Sequence, residues 1–421
     1  MSNTLCSFPF VHTDIEPNGD IKFCCAAVNG EHKDASGQVY NIMTHTLKDA
    51  WNSKQLKQTR LEMIAGGKPE ICSYCWMMEN EDNTKGASVR LQAANRRAPI
   101  ESIQDRIDYA RTHNGELSDD HLAYDFQLSI GNLCNLACKM CNPGYSTQYQ
   151  KFFRKIYDKP QDVKFVKNAV TTNDEVGFNT TFDWPITQSL PEIFKDHTSS
   201  LQRIFFTGGE PTLIPEVLDF IDYLSSNPNI TIWPSTNCTN INKRLLDSME
   251  KFNEVWLNLS LDGMDEVAYI QRTPSNWASI EKNVDMLMDW VSKQDKEIRV
   301  NVITTLTALN FHQVLDFWSY FSNRYSNKSR FGLAINLVKG SHTNFSIDIV
   351  PQLVADKIKK QFDVYKQNVP ENLEYSVEYM EDIFATTKFA DSHESIHFCL
   401  DELQRCHLDK NIRDIYSIYY K

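Results

Sequence analysis

No apolar run in the 421-residue chain approaches the ~18 residues that a membrane span requires. The opening MSNTLCSFPF also lacks the basic start and long apolar stretch of a secretory signal, so a cytoplasmic protein with no membrane partner is expected. Positive charge is in deficit: 43 Lys and Arg face 55 Asp and Glu, a formal charge of -12. That balance disfavours a polyanion, and no basic, aromatic-rich segment stands out, so nucleic acid is not an expected partner. Internal repeats and low-complexity tracts are not evident either. What is left is a globular composition, 41% hydrophobic and 23% charged, long enough for roughly two to three domains around a large core.

Cysteine is sparse along most of the chain and concentrated in two places. Cys134, Cys138 and Cys141 fall inside CNLACKMC; Cys6, Cys24, Cys25, Cys72 and Cys75 form a second group; Cys238, Cys399 and Cys406 stand apart and read as small buried hydrophobes. A reducing compartment makes disulfides an unlikely use for such clusters, and C-x3-C-x2-C spacing points to metal. A closed zinc site wants four ligands, whereas CNLACKMC offers no fourth Cys or His nearby. A 4Fe-4S cluster on three thiolates leaves one iron for an outside ligand, as a catalytic metal keeps an open position.

The flanking pattern places this loop at the end of a strand. AYDFQLSIG (123–131) alternates apolar residues and runs straight into the cysteines. Further strand-like runs follow at RIFFTG (203–208), ITIWPSTN (230–237), EVWLNLSLDG (254–263), IRVNVITTLT (298–307) and FGLAINLV (331–338), separated mostly by segments with helical spacing. Six strands alternating with helices predict an α/β fold with a parallel sheet, open or closed into a partial barrel, because parallel neighbours need crossovers. The second strand ends in FTGGEP, where Gly208 and Gly209 allow a tight turn and Glu210 offers a carboxylate to an ammonium group.

C-x3-C-x2-C followed by GGEP resembles the radical S-adenosylmethionine superfamily, over the stretch up to about residue 340. The resemblance implies a partial (β/α)6 TIM-like barrel. It implies that Cys134, Cys138 and Cys141 hold a 4Fe-4S cluster whose remaining iron is chelated by S-adenosylmethionine, and that Gly208, Gly209 and Glu210 meet the methionine amino group. Ser260 matches a position contacting the ribose or carboxylate, Arg272 one binding the carboxylate, and Leu337 one beside adenine. Met140 stands where relatives usually carry an aromatic residue; its polarizable sulfur still suits adenine. Ser260 and Asp262 have a plainer reading, as the end of a strand and the start of a turn.

The N-terminal cysteines carry a second resemblance. CSFPF, NGDIKFC, CSYC and the trailing ENEDNTKGASVR, around a helix or helix pair ending at Gly66 and Gly67, are similar to the cluster-binding extension called SPASM, particularly its shorter twitch form. Cys6, Cys24, Cys72 and Cys75 would bind one auxiliary 4Fe-4S cluster; Glu81 stands where a fuller domain has another cysteine. Cys24 and Cys25 compete for one ligand position, and loop spacing favours Cys24. Structural zinc is the alternative occupant, since C-x2-C pairs suit it equally.

The expected organisation is an auxiliary-cluster module at 1–100, a radical core at 101–345 and a C-terminal helical extension at 346–421. Within the long first crossover, TTNDEVGFNTTFDWP (171–185) reads as a lid over substrate or as a surface insertion. His397, Cys399, Cys406 and His407 read as packing and not as a metal site, because Cys399, Leu403 and Cys406 share a helical stripe. The resemblance implies reductive cleavage of S-adenosylmethionine to a 5'-deoxyadenosyl radical, a flavodoxin- or ferredoxin-type electron donor, and oxidation or cross-linking of a peptide or protein side chain. A small-molecule dehydrogenase of the twitch type and a non-catalytic electron carrier are the alternatives.

Overall fold

Short-range signals account for most element boundaries in the computed structural model. The helix Lys54–Ile64 starts where the Ser53 hydroxyl accepts the Leu56 N–H, and it ends before Gly66 at φ +84°, a conformation glycine adopts without a Cβ penalty. Asn276 caps Trp277–Ser292 in the same way, accepting the Ser279 N–H. That helix buries Ile280, Val284, Leu287, Met288 and Val291, the single apolar stripe its sequence spacing predicts. The residues described are 4–27, 32–80, 88–93, 100–156, 180–325, 331–337, 345–369, 373–407 and 409–420. Residue 81 and most of the crossover segment read as a lid lie outside them.

The strands are β1 (His12–Ile15), β2 (Ile21–Lys22), β3 (Asp125–Ile130), β4 (Ala137–Cys138), β5 (Arg203–Gly208), β6 (Thr231–Thr236), β7 (Glu254–Ser260), β8 (Arg272–Thr273), β9 (Glu297–Leu306) and β10 (Phe331–Leu337). All six expected strands are present, each within two residues of its expected start and three of its expected end. The chain forms two units: Met1–Gly131 with Phe182–Trp233 and Lys251–Asn253, and Asn132–Thr181 with Pro234–Glu250 and Glu254–Lys421. Residues on either side of position 100 therefore belong to one unit.

In the first unit β5 pairs parallel with β3 and β3 parallel with β1, while β2 closes the edge antiparallel to β1. The N-terminal segment thus extends the sheet, a pairing that the local sequence pattern does not announce. Phe126, Leu128 and Ile130 of β3 are buried, and so are Asp125 and Ser129 on its other face, as befits a strand covered on both sides. Arg60, fully buried, pins this unit: its guanidinium donates to the carbonyls of Pro9, Trp51 and Gly115 and to Asn52.

In the second unit β7 pairs parallel with β9 and β9 with β10, whose register sets Leu337 opposite Leu306. The helix Val314–Tyr325 buries Val314, Phe317, Trp318 and Phe321. Near the C-terminus, Cys399 and Leu403 are buried on the helix Glu394–Cys406, the His397 ring meets the Tyr419 carbonyl, and His407 is buried against Phe152 and Tyr269. These contacts are packing contacts at Cys399, Leu403, His397 and His407; the Cys406 side chain lies outside the described ones.

Candidate functional site

The C-x3-C-x2-C loop follows β3 directly. Cys141 feels the charge of both Cys138 and Cys134, and the Cys141 N–H returns to the Cys138 carbonyl at 3.0 Å. Asn135, inside the loop, donates to Thr239 Oγ1 at 2.8 Å and accepts from Asn237 Nδ2 at 3.0 Å, so the end of β6 holds the loop's shape. Ser146 Oγ, just beyond it, donates to the Leu136 carbonyl at 2.6 Å.

β4 and β8 make a two-stranded antiparallel ladder that sets Cys138 opposite Arg272. Arg272 Nη1 points at Cys138 Sγ, 3.6 Å away, while its Nε donates to Asp262 Oδ2 at 2.6 Å. Asp262 is itself fixed, since its other oxygen accepts the Thr305 N–H at 2.7 Å and its carbonyl accepts Asn310 Nδ2 at 2.8 Å. Burial alone would weaken the guanidinium's hold on its proton; the Asp262 carboxylate and the Cys138 thiol more than offset that, and its pKa rises. Asp262, read from sequence as a possible turn residue, is the group that aims Arg272. Nothing in the ten-residue spacing signals the pair.

Burial pushes the Cys138 and Cys141 thiols up, an effect the Arg272 charge opposes. Thiols in such surroundings ionise when a cation pays for it, and iron is such a cation. Ser260, at the end of β7, lies with its hydroxyl 3.3 Å from that of Ser235; Met140 and Leu337 are half-buried in the same unit.

Gly208, Gly209 and Glu210 belong to the other unit, at the end of β5. Gly208 adopts φ +107°, and a Cβ there would meet the Ile130 nitrogen at 2.5 Å, so only glycine fits. The Gly209 N–H donates to the Gly131 carbonyl at 3.2 Å. Glu210 is buried and its Oε1 accepts the Thr212 hydroxyl at 2.7 Å, which fixes the carboxylate's direction.

The N-terminal thiols surround a small cavity of about 20 Å³ lined by Cys6, Cys24, Cys72, Cys75, Phe23 and Arg90, among others. Cys24 is buried whereas Cys25 is exposed and does not line the cavity. Burial pushes the Cys6 thiol up to about 12 and raises Cys72 and Cys75 as well. Among the described residues no three His, Cys, Asp or Glu side chains are placed to hold one metal ion. Four thiols around one small void are the donor set that a cubane would require, one thiolate to each iron.

Residues 128–317 match the family model of the Radical SAM superfamily, and residues 6–76 match SPASM, the iron-sulfur cluster-binding domain. Over these residues the chain carries a radical SAM domain and, ahead of it, a SPASM module. Its cofactors are accordingly S-adenosylmethionine and 4Fe-4S clusters, an auxiliary one included. Curated relatives include a GTP 3',8-cyclase of Synechococcus elongatus, 25% identical over 47% of this chain and 51% of that protein. Another, a GTP 3',8-cyclase of Vibrio parahaemolyticus, is 27% identical over 48% and 51%. Among solved structures, Streptococcus suis SuiB bound to S-adenosylmethionine aligns at 16% identity over 64% of this chain and 54% of that one, TM-score 0.37. Native anSMEcpe with bound AdoMet aligns at 17% over 56% and 59%, TM-score 0.36. The chain spans about half the length of the curated relatives it matches. No helix among the described residues is long and apolar enough to cross a membrane.

Proposed function

We propose that this chain is a radical enzyme in which Cys134, Cys138 and Cys141 hold the S-adenosylmethionine-binding cluster and Cys6, Cys24, Cys72 and Cys75 hold the auxiliary one, together oxidising or cross-linking a peptide or protein side chain. The observation that carries this reading is the set of three neighbouring thiols with a fixed cation, Arg272, on one of them. When bound, these groups supply a 5'-deoxyadenosyl radical that takes a hydrogen atom from substrate, and a fully thiolate-ligated sink for the substrate's second electron.

The chain's own part is position. Asp262 and Asn310 lock the strand end that presents Arg272, and the Asn135–Asn237–Thr239 network locks the loop that presents the thiols. Glu210, oriented by Thr212, is a carboxylate suited to an amino group. A flavodoxin- or ferredoxin-type protein would deliver the reducing electron. Four cysteines around the N-terminal cavity leave the auxiliary group no thiolate-free iron, so its role is electron transfer and the net reaction an oxidation. The curated relatives named GTP 3',8-cyclase favour a second reading, a small-molecule substrate.

Anaerobic reconstitution with iron and sulfide, then dithionite and S-adenosylmethionine, tests the reading. 5'-Deoxyadenosine is expected, and its absence from cluster-loaded protein overturns the proposal. Faster 5'-deoxyadenosine release with candidate peptides, together with a product lighter by two hydrogens, favours the peptide reading; the same acceleration by GTP favours the other.

A further inference from the structure

Beyond the four thiols, one charged side chain among the described residues lines the N-terminal cavity. Arg90 lies outside the residues matched to the cluster-binding domain, 15 positions past Cys75, yet it borders the same void as Cys6, Cys24, Cys72 and Cys75. Arg90 is held firmly. Its Nε donates to Glu79 Oε1 at 2.9 Å and its Nη2 to Glu79 Oε2 at 2.6 Å, a two-point pairing that fixes the guanidinium plane. Nη1 donates to the Leu5 carbonyl at 3.0 Å, next to Cys6. Ser88 Oγ donates to Glu79 Oε1 at 2.6 Å, and the guanidinium sits over the Trp76 ring, 5.0 Å from its centroid. The Arg90 main-chain N–H hydrogen-bonds Cys75. Glu79 closes the helix Ser73–Asn80 that carries Cys75, so the pair ties this helix to Val89–Gln92 across the rim of the cavity.

We propose that the Glu79–Arg90 pair sets the reduction potential of the auxiliary cluster, with Arg90 stabilising the reduced, more negative state and Glu79 restraining that effect. The inference rests on the assignment of an iron-sulfur cluster to Cys6, Cys24, Cys72 and Cys75. Its physics is that of charge beside a redox centre. One-electron reduction of a cluster with four thiolates increases its negative charge, so a buried guanidinium at the cavity wall favours reduction. The half-buried Glu79 carboxylate paired with it acts in the other direction. A centre poised this way accepts an electron more readily than the same four thiolates without the cation, which is the direction that draining a substrate radical requires.

The test uses the full chain with Cys134, Cys138 and Cys141 replaced by alanine, so that one cluster remains to be observed. After anaerobic reconstitution, the midpoint potential is read by mediated redox titration followed by electron paramagnetic resonance. R90Q is expected to make reduction at least tenfold less favourable, a fall of 59 mV or more for one electron. R90K, which keeps the charge, should stay nearer the parent, and E79Q should shift the potential upward. A purely structural clamp would lower cluster occupancy in R90Q and E79Q alike without moving their potentials in opposite directions. Should R90Q fail to keep its cluster, E79Q and R90K decide: a raised potential in E79Q supports the inference and an unmoved one overturns it. Absence of any iron-sulfur signal from the parent of this series overturns the cluster assignment as well, whereas a cluster whose potential ignores all three substitutions overturns the inference alone.

Discussion

Arg272 is the residue on which the site's electrostatics turn, and its dependence on Asp262 can be measured without any cofactor. The Asp262 carboxylate is fully buried and the Arg272 side chain is 11% exposed, so each needs the other. Removing one partner of a buried ion pair costs about 3–5 kcal/mol, because the remaining charge keeps its desolvation penalty. D262A should therefore lower the urea midpoint of the cofactor-free chain strongly, and D262N, which keeps an acceptor, less. Equal midpoints for D262A and the parent would show that Arg272 relaxes into solvent. The same substitution should weaken binding of S-adenosylmethionine to the reconstituted protein, as read by equilibrium dialysis. This pair was not legible in the sequence: the resemblance picked out Arg272, but residues ten positions apart across a strand end and a helix carry no periodic signal. The cysteine motifs stand out in the sequence because their short spacings are those that metal ligation favours and that tertiary packing does not demand.

At the scale of elements, the close approach of β3 and β5 depends on Gly208. Its φ of +107° and the 2.5 Å that would separate an added Cβ from the Ile130 nitrogen leave alanine no room against backbone. G208A should destabilise the chain by about 1–3 kcal/mol from backbone strain, with the main-chain clash added, and should reduce S-adenosylmethionine affinity. Circular dichroism during denaturant unfolding checks the first, and dialysis the second; a variant of unchanged stability would mean that the two strand ends can part. Strands here were readable because each is an apolar run between turn residues, and their alternation with helices gave the parallel arrangement. The pairing of β1 with β3 was not, since four residues beside a cysteine motif carry too little pattern to name a partner more than a hundred positions away. Nor was the β4–β8 ladder, two residues on each side, although it sets Cys138 against Arg272.

Two buried histidines, His32 and His197, and the half-buried His312 act on the molecule as a whole. Burial pushes His32, His197 and His312 down to about 4. Each is neutral in the folded chain near neutrality and takes up a proton on unfolding once the pH is below the ordinary imidazole value. Their contribution to stability is therefore complete above about pH 6.5 and is lost as the pH falls toward 4, at up to about 1.4 kcal/mol per pH unit for each group. H312F, which keeps a ring against Tyr416 and Tyr419, should flatten the slope of unfolding free energy between pH 6.5 and 4 relative to the parent. Parallel slopes would mean that His312 is already protonated in the folded chain. The larger claim is that one chain carries two clusters on separate sets of cysteines, and that the three-cysteine set alone cleaves S-adenosylmethionine. It is tested most directly by iron and acid-labile sulfide counts on reconstituted parent and on the C134A/C138A/C141A variant, with 5'-deoxyadenosine measured on the same samples. The expected result is about eight irons falling to about four, with cleavage abolished. About eight irons retained in the variant, or 5'-deoxyadenosine still formed, would contradict the account.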